Sequence, residues 1–254
     1  MRLPTPALLA LIAAAFVVLV GLGVWQVQRN EWKQDLVAES HAKTDAPPLE
    51  VRDAGEHVPG EIEYRRVLLH GTWQLDDAMF LANRARYSAR GEEIIVPVTL
   101  DGGGAVLVNV GWIPDGARDD VMRELAEDAD RAVTEGLAFD IGGRDGNVIP
   151  SGSWSNLDTE AMSEALGYEV ADWYVLAGEE RTSPPSPNEP LPVAGWQRFE
   201  NTTPHVEYAL TWFGIAAVLV ASAVFRLVIA PRRAKREALD ALDAPPTADS
   251  ATSS

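Results

Sequence analysis

The chain has 254 residues, with 21 Lys and Arg against 38 Asp and Glu, a net charge of −17, and no cysteine. So acidic a composition lacks the basic face a nucleic-acid binder needs to neutralise phosphates. Without cysteine there is no disulfide framework, thiolate metal centre, iron–sulfur cluster or thiol nucleophile.

The charge is unevenly placed. No charged residue falls between Arg2 and Arg29, or between Glu207 and Arg226, whereas Gln26–Glu207 holds 15 basic and 34 acidic side chains. After a short segment at 1–6, the chain is predicted to cross a membrane over 7–26. Ala7–Trp25 is wholly apolar, and at about 1.5 Å per residue it covers about 28 Å, close to the hydrocarbon core. A cleaved signal peptide is the rival reading, but the apolar run exceeds the usual 7–15 residues or so. An uncleaved anchor is expected.

Residues 27–206 are predicted to form an α+β domain, mainly antiparallel. Arg66–Leu75 and Ala78–Ala82 flank Asp76-Asp77 as a hairpin would. Ile94–Leu100 and Ala105–Ile113 surround Asp101-Gly-Gly-Gly104, a stronger hairpin signal, with Pro97 implying an edge or a bulge. Arg118–Val133 reads as an acidic surface helix. Asp158 caps a helix through Leu166, with Leu157 and Met162 as its staple and Gly167 as its stop. Trp173–Leu176 is another strand, and the proline-rich Ser183–Pro192 is a stiff connector without a fold of its own.

A second span is predicted over 207–230, where Arg226 can snorkel to the interface. Arg232, Arg233, Lys235 and Arg236 follow it, and positive residues stay cytoplasmic. Both termini are then cytoplasmic and the domain extracytoplasmic, with the tail 231–254 disordered. The predicted class is therefore a membrane protein, two transmembrane helices flanking an extracytoplasmic α+β domain. No Arg- and Ser-rich transit segment precedes the first span, which favours a bacterial plasma membrane.

Enzymatic signatures are missing: no Gly-x-Ser-x-Gly elbow, phosphate-binding loop or His-Glu-x-x-His helix occurs. Carboxylate pairs such as Glu92-Glu93 and Asp119-Asp120 read as solvated surface, and Asn201-Thr-Thr203 matches a glycosylation sequon. His41 and His57 sit in polar loop sequence, and His70 alternates along a strand. His205 differs, since it opens the second apolar segment, where Thr203 can cap the helix and Pro204 fits its first position. The start of a helix favours an uncharged ring, and a neutral imidazole can ligate a metal such as haem iron. It can equally be a packing residue of the interface. Tyr208 and Trp212 follow His205 at helical spacing. At the other junction Trp25, Arg29, Trp32 and Lys33 form one stripe, either an interface anchor or the partner of an anion such as haem propionates.

These junctions carry a resemblance. Gly23-Val-Trp25-Gln26-Val-Gln-Arg29-Asn-Glu-Trp32-Lys33, Tyr64-Arg65-Arg66-Val67, Val106-Leu-Val-Asn-Val-Gly-Trp-Ile-Pro114 and His205-Val-Glu-Tyr208-Ala-Leu-Thr-Trp212-Phe213 stand in this order. They are similar to the motifs of the Surfeit-locus-one family of cytochrome c oxidase assembly factors. Val110 departs from the family's usual Arg, and Thr203-Pro204 replaces a paired Asn.

The resemblance implies a protein that is not an enzyme but binds haem a at the outer interface and presents it to the oxidase catalytic subunit. His205 would be the ligand to iron, with Arg29 or Lys33 near the propionates and Trp25, Tyr208 and Trp212 against the macrocycle. Haem a synthase is a further possible partner, and the lipid bilayer is the environment. The alternative is a membrane-anchored scaffold that stabilises an assembly intermediate without binding haem. The sequence leaves oligomeric state open.

Overall fold

The computed structural model describes residues 4–86, 88–127, 133–143, 145–183, 186 and 188–243. It divides into two compact units, one from the terminal segments up to Asp35 and from Asn201 onward, the other Leu36–Glu200.

The first unit is helical. Helix α1 (Thr5–Asp45) does not stop at Trp25 but runs on into the second unit, so the expected boundary at 26/27 falls inside a continuous helix. The later helix α4 begins at His205 and ends at Val224. A π-helical turn, Phe225–Ile229, follows it, and then helix α5 (Ala230–Asp243). The segment after 230, expected to lack structure, is therefore helical to Asp243, and 244–254 lie outside the described residues. Two helical stretches, Pro6–Asp45 and His205–Glu237, are long and apolar enough to cross a membrane.

The second unit is built on a sheet of seven strands: β1 (Leu49–Val51), β2 (Arg66–Trp73), β3 (Met79–Leu81), β4 (Gly91–Leu100), β5 (Ala105–Pro114), β6 (Val133–Asp140) and β7 (Val170–Ala177). Their order is β1-β2-β6-β7-β5-β4-β3, and β2 also pairs with β4, which closes β2-β6-β7-β5-β4 into a barrel. Ladders β2–β4, β2–β6, β3–β4, β4–β5 and β6–β7 are antiparallel. Ladders β1–β2 and β5–β7 are parallel, so the sheet is mixed.

β5 and the stretch Ile94–Val98 of β4 are apolar at nearly every position because both their faces are covered. Ile94, Val96 and Val98 of β4, with Val106 and Val108 of β5, point into the barrel with Leu69, Trp173 and Val175. Ile95 and Leu107 face outward and pack with Trp154, Leu157 and Met162. These last belong to or precede helix α3 (Thr159–Leu166), which forms as its caps dictate. Asp158 Oδ1 accepts from the Ala161 N–H at 3.0 Å, and Gly167 closes the helix at φ 77°.

The β4–β5 hairpin forms as expected. Its bulge lies between Ile94 and Ile95, opposite Gly111 and Asn109. Pro97 costs no ladder bond. Its carbonyl accepts from the Gln74 N–H at 2.8 Å, so its missing N–H faces the gap where β2 ends and β3 begins.

Three expectations change. Asp76-Asp77 is not a hairpin turn: β2 and β3 do not pair with each other but lie one after the other along β4, joined by a 3₁₀ turn at Leu75–Asp77. Helix α2 covers Arg118–Glu127 only; 128–132 lie outside the described residues and Val133 already opens β6. The segment after β7 is also anchored. Val193 exchanges both backbone bonds with Trp112, Arg181 N–H donates to the Trp196 carbonyl at 2.8 Å, and the Arg181 guanidinium binds both Glu189 oxygens at 2.6 and 2.5 Å. Residues 184, 185 and 187 of that proline-rich segment lie outside the described residues.

Candidate functional site

In the first unit α1 and α4 run antiparallel, since Gln26 meets His205 while the earlier Gly23 meets the later Phe213. On α1 the sheltered line is Leu19, Gly23, Gln26 and Asn30; on α4 it is His205, Ala209, Trp212 and Ala216. Small residues on these lines let the backbones approach. A Cβ at Gly23 would stand 2.4 Å from the Phe213 ring.

His205 is the polar member of the α4 line, only 9% exposed. Its Nδ1 lies 2.8 Å from Gln26 Oε1. With the amide oxygen facing the ring, Nδ1 carries the proton and donates. Nε2 makes no hydrogen bond among the described residues. The helix start differs from expectation. Pro204 is the N-cap itself rather than the first helical residue, with no side-chain cap, and the Thr203 carbonyl, not its hydroxyl, takes the His205 N–H at 2.8 Å.

Tyr208 does not share the sheltered line with His205 and Trp212. It is 52% exposed, because three residues at about 100° each leave it about 60° round the helix from His205. The Trp25, Arg29 and Trp32 stripe forms on α1, also exposed, with Lys33 at its inner edge. The Arg29 guanidinium carbon stands 3.8 Å above the Trp32 ring and the Lys33 ammonium 5.8 Å from it, a cation–π stack. Rotational phase then sorts the two flanks. In an antiparallel pair, residues displaced the same way from the contact line emerge on the same side. Gly23 and Phe213 are displaced one way, as their contact confirms; Trp25, Arg29 and Tyr208 are displaced the other way. Of the sequence-predicted residues, Trp25, Arg29 and Tyr208 therefore fall on one flank beside the His205–Gln26 pair, while Trp212 lies on the contact line itself.

Gln26 was missed as a partner. Its signal is a polar residue on the same rotational line as Gly23, just where the apolar run of α1 ends. Three other histidines are accounted for within the second unit. His41 lies in α1 and not in a loop, its Nε2 donating to the Phe199 carbonyl at 3.0 Å. His70 pairs with Glu50, and His57 follows a 3₁₀ turn with its Nε2 buried and unpartnered. Among the described residues no group of three or more His, Asp or Glu gathers as a metal cage.

That donor set suits a haem better than a free metal ion. Haem iron asks one imidazole of the protein, with Nδ1 tied back and Nε2 left as the donor atom. Aromatic rings and a guanidinium stand on the same flank.

The second unit carries polar clefts. One of about 380 Å³ is lined by Thr44, Asp45, Arg66, Glu135, Glu180 and Arg198, among others. Its guanidinium groups are engaged. Arg66 donates to the Thr44 and Ala46 carbonyls at the C-terminal end of α1, at 3.0 and 3.2 Å. Arg198 binds Asp45 at 2.7 Å and Glu180 at 2.6 Å. These bonds close off the helix terminus and leave the cleft reading as structure.

The chain matches the SURF1 family model over residues 13–217. It is 25% identical to a SURF1-like protein of Rickettsia bellii over 213 residues, covering 82% of this chain and 86% of that one. It is 26% identical to Surfeit locus protein 1 of Mus musculus over 230 residues, 83% and 71% of the two chains. With Surfeit locus protein 1 of Takifugu rubripes the identity is 27% over 218 residues, 78% and 87%.

Proposed function

The chain belongs to the SURF1 family of cytochrome oxidase assembly factors, and we propose that within that work it binds haem a and presents it to the oxidase catalytic subunit. The observation that carries this reading is the His205–Gln26 pair. It is a sheltered imidazole at the start of an apolar helix, with Nδ1 hydrogen-bonded at 2.8 Å and Nε2 without a partner among the described residues.

His205 Nε2 would hold the iron, Trp25, Tyr208 and Trp212 would shelter the macrocycle, and Arg29 or Lys33 would meet the propionates. When bound, the haem would be the cargo itself; the protein would hold it and supply no reaction. A single protein ligand suits a carrier, because release has to compete with retention. Trp25 and Tyr208, both more than half exposed, offer aromatic surface that a ligand can cover and leave.

Both apolar helices would span a bacterial plasma membrane, with the basic residues after Ala230 on the cytoplasmic side. The barrel unit would then lie outside, where its acidic surface would dock the oxidase subunit, and haem a synthase would supply the cargo. The second reading is a membrane-anchored scaffold that stabilises an assembly intermediate without haem. It is favoured by there being a single histidine, and no cluster of ligands, at the site among the described residues.

The test is purification of the full-length protein from cells that make haem a, with and without His205→Ala. The expected result is a haem absorption spectrum in the native protein and at least a roughly ten-fold loss of retained haem in the variant. A native protein without haem, or a variant with an unchanged spectrum, refutes the carrier reading and leaves the scaffold.

A further inference from the structure

We infer that Gln26 is a positioning residue for His205. Its amide oxygen fixes the ring in the Nδ1–H tautomer and holds Nε2 as the lone-pair atom. The inference rests on the haem reading for its purpose, but not for its evidence.

A neutral imidazole has one N–H and one lone pair, and the partner at either nitrogen decides which is which. Here Nδ1 stands 2.8 Å from Gln26 Oε1. Two oxygen or nitrogen atoms at that distance need a proton between them, and an amide oxygen brings none. The proton is therefore on Nδ1, and the lone pair is left on Nε2, which has no acceptor or donor of its own among the described residues.

A histidine on a solvated helix, by contrast, turns about its side-chain bonds and favours the Nε2–H form, which has no lone pair to offer at that atom. Gln26 thus converts an indifferent ring into a directed donor. It does so without a charge, which matters on the sheltered line between two helices, where an unpaired carboxylate in its place would be costly to bury. Neighbouring residues reinforce the arrangement. Gly23, one turn before Gln26, admits the Phe213 ring where a Cβ would stand 2.4 Å from it. Ala209, one turn after His205, is 2% exposed. The two helices are therefore held close enough for an uncharged side chain to span them.

The experiment reads the tautomer directly, in the haem-free full-length protein in detergent micelles, by ¹⁵N–¹H NMR of labelled histidine. The wild type is expected to show His205 with its proton on Nδ1. Gln26→Leu, which keeps bulk and loses the acceptor, is expected to shift His205 toward the Nε2–H form. Gln26→Glu, which restores an acceptor oxygen, is expected to keep Nδ1–H. A wild-type His205 protonated on Nε2, or a Gln26→Leu spectrum identical to wild type, overturns the inference. Should Gln26→Leu fail to fold, the wild-type tautomer and the Gln26→Glu spectrum still decide it.

A second arm titrates the same proteins with ferric haem. Loss of an outer hydrogen bond to a ligating histidine is expected to weaken binding about 10–100-fold in Gln26→Leu. If the tautomers behave as stated and no protein binds haem, Gln26 still positions His205 and the haem reading alone fails.

Discussion

Gly111 shows how a single position can hold two segments together. It sits beside the β4–β5 bulge at φ +131°, a conformation that side chains rarely adopt, and a Cβ there would lie 2.7 Å from the Val193 carbonyl oxygen. That carbonyl accepts from the Trp112 N–H at 3.1 Å and anchors the returning segment to β5. Gly111→Ala therefore meets backbone strain and a steric clash together, and both act on the folded state. We expect a loss of about 1–3 kcal/mol, read as a lower thermal midpoint of the full-length protein. An unchanged midpoint would show that the Val193 segment can shift at little cost. The residue scale is also where the sequence was most readable. Asp158, Leu157, Met162 and Gly167 each take the role their chemistry implies, because capping and staple contacts are local and need no knowledge of the remaining fold. Gln26 was not readable in the same way, since its partner lies 179 residues away.

Elements were legible where the pattern was local and opaque where pairing was distant. The Asp101–Gly104 turn marked β4 and β5 as a hairpin, and they pair. Asp76-Asp77 gave a similar signal, yet β2 and β3 follow one another along β4 because that strand, at ten residues, is long enough to receive both. Nothing in the sequence announces the parallel β5–β7 ladder, whose strands are separated by α2, β6 and α3. Likewise the apolar pattern marked both membrane-competent helices, but not that α1 continues to Asp45. The α1–α4 pairing is open to a test at its narrowest point. Gly23→Leu places a side chain where the Phe213 ring now lies, and overpacking of this kind costs about 1–3 kcal/mol. Phe213 is 36% exposed, so it can be shortened without opening a buried cavity. We expect Phe213→Ala to recover part of the loss when added to Gly23→Leu, since contacting residues are not additive. Strict additivity of the two thermal midpoints would show that the helices do not meet there.

At the scale of the whole molecule the excess of acid is not a uniform coat, since particular carboxylates are held by particular guanidinium groups. Side-chain hydrogen bonds from Arg198 hold the Glu180 carboxyl below its usual range. Those from Arg181, with the Ser186 N–H, do the same for Glu189. Both pairs join residues within the segment that follows β7, so the internal folding of that segment depends on charge. A carboxylate whose pKa is lower folded than unfolded stabilises the fold above its unfolded pKa, and that contribution is lost as pH falls through the folded one. Glu63 runs the opposite way. Burial and the nearby Asp140 raise its pKa, so acidification relieves a penalty there. The two effects oppose each other, and the shape of the wild-type curve alone does not separate them. Arg198→Gln does, because it removes the cause at Glu180 and leaves the surroundings of Glu63 intact. The thermal midpoint of this variant is expected to lie below wild type at neutral pH. The gap should narrow as pH falls from about 5 toward 3, where carboxylates titrate. Two curves that stay parallel over that range would mean that Arg198 contributes through packing and not through its charge.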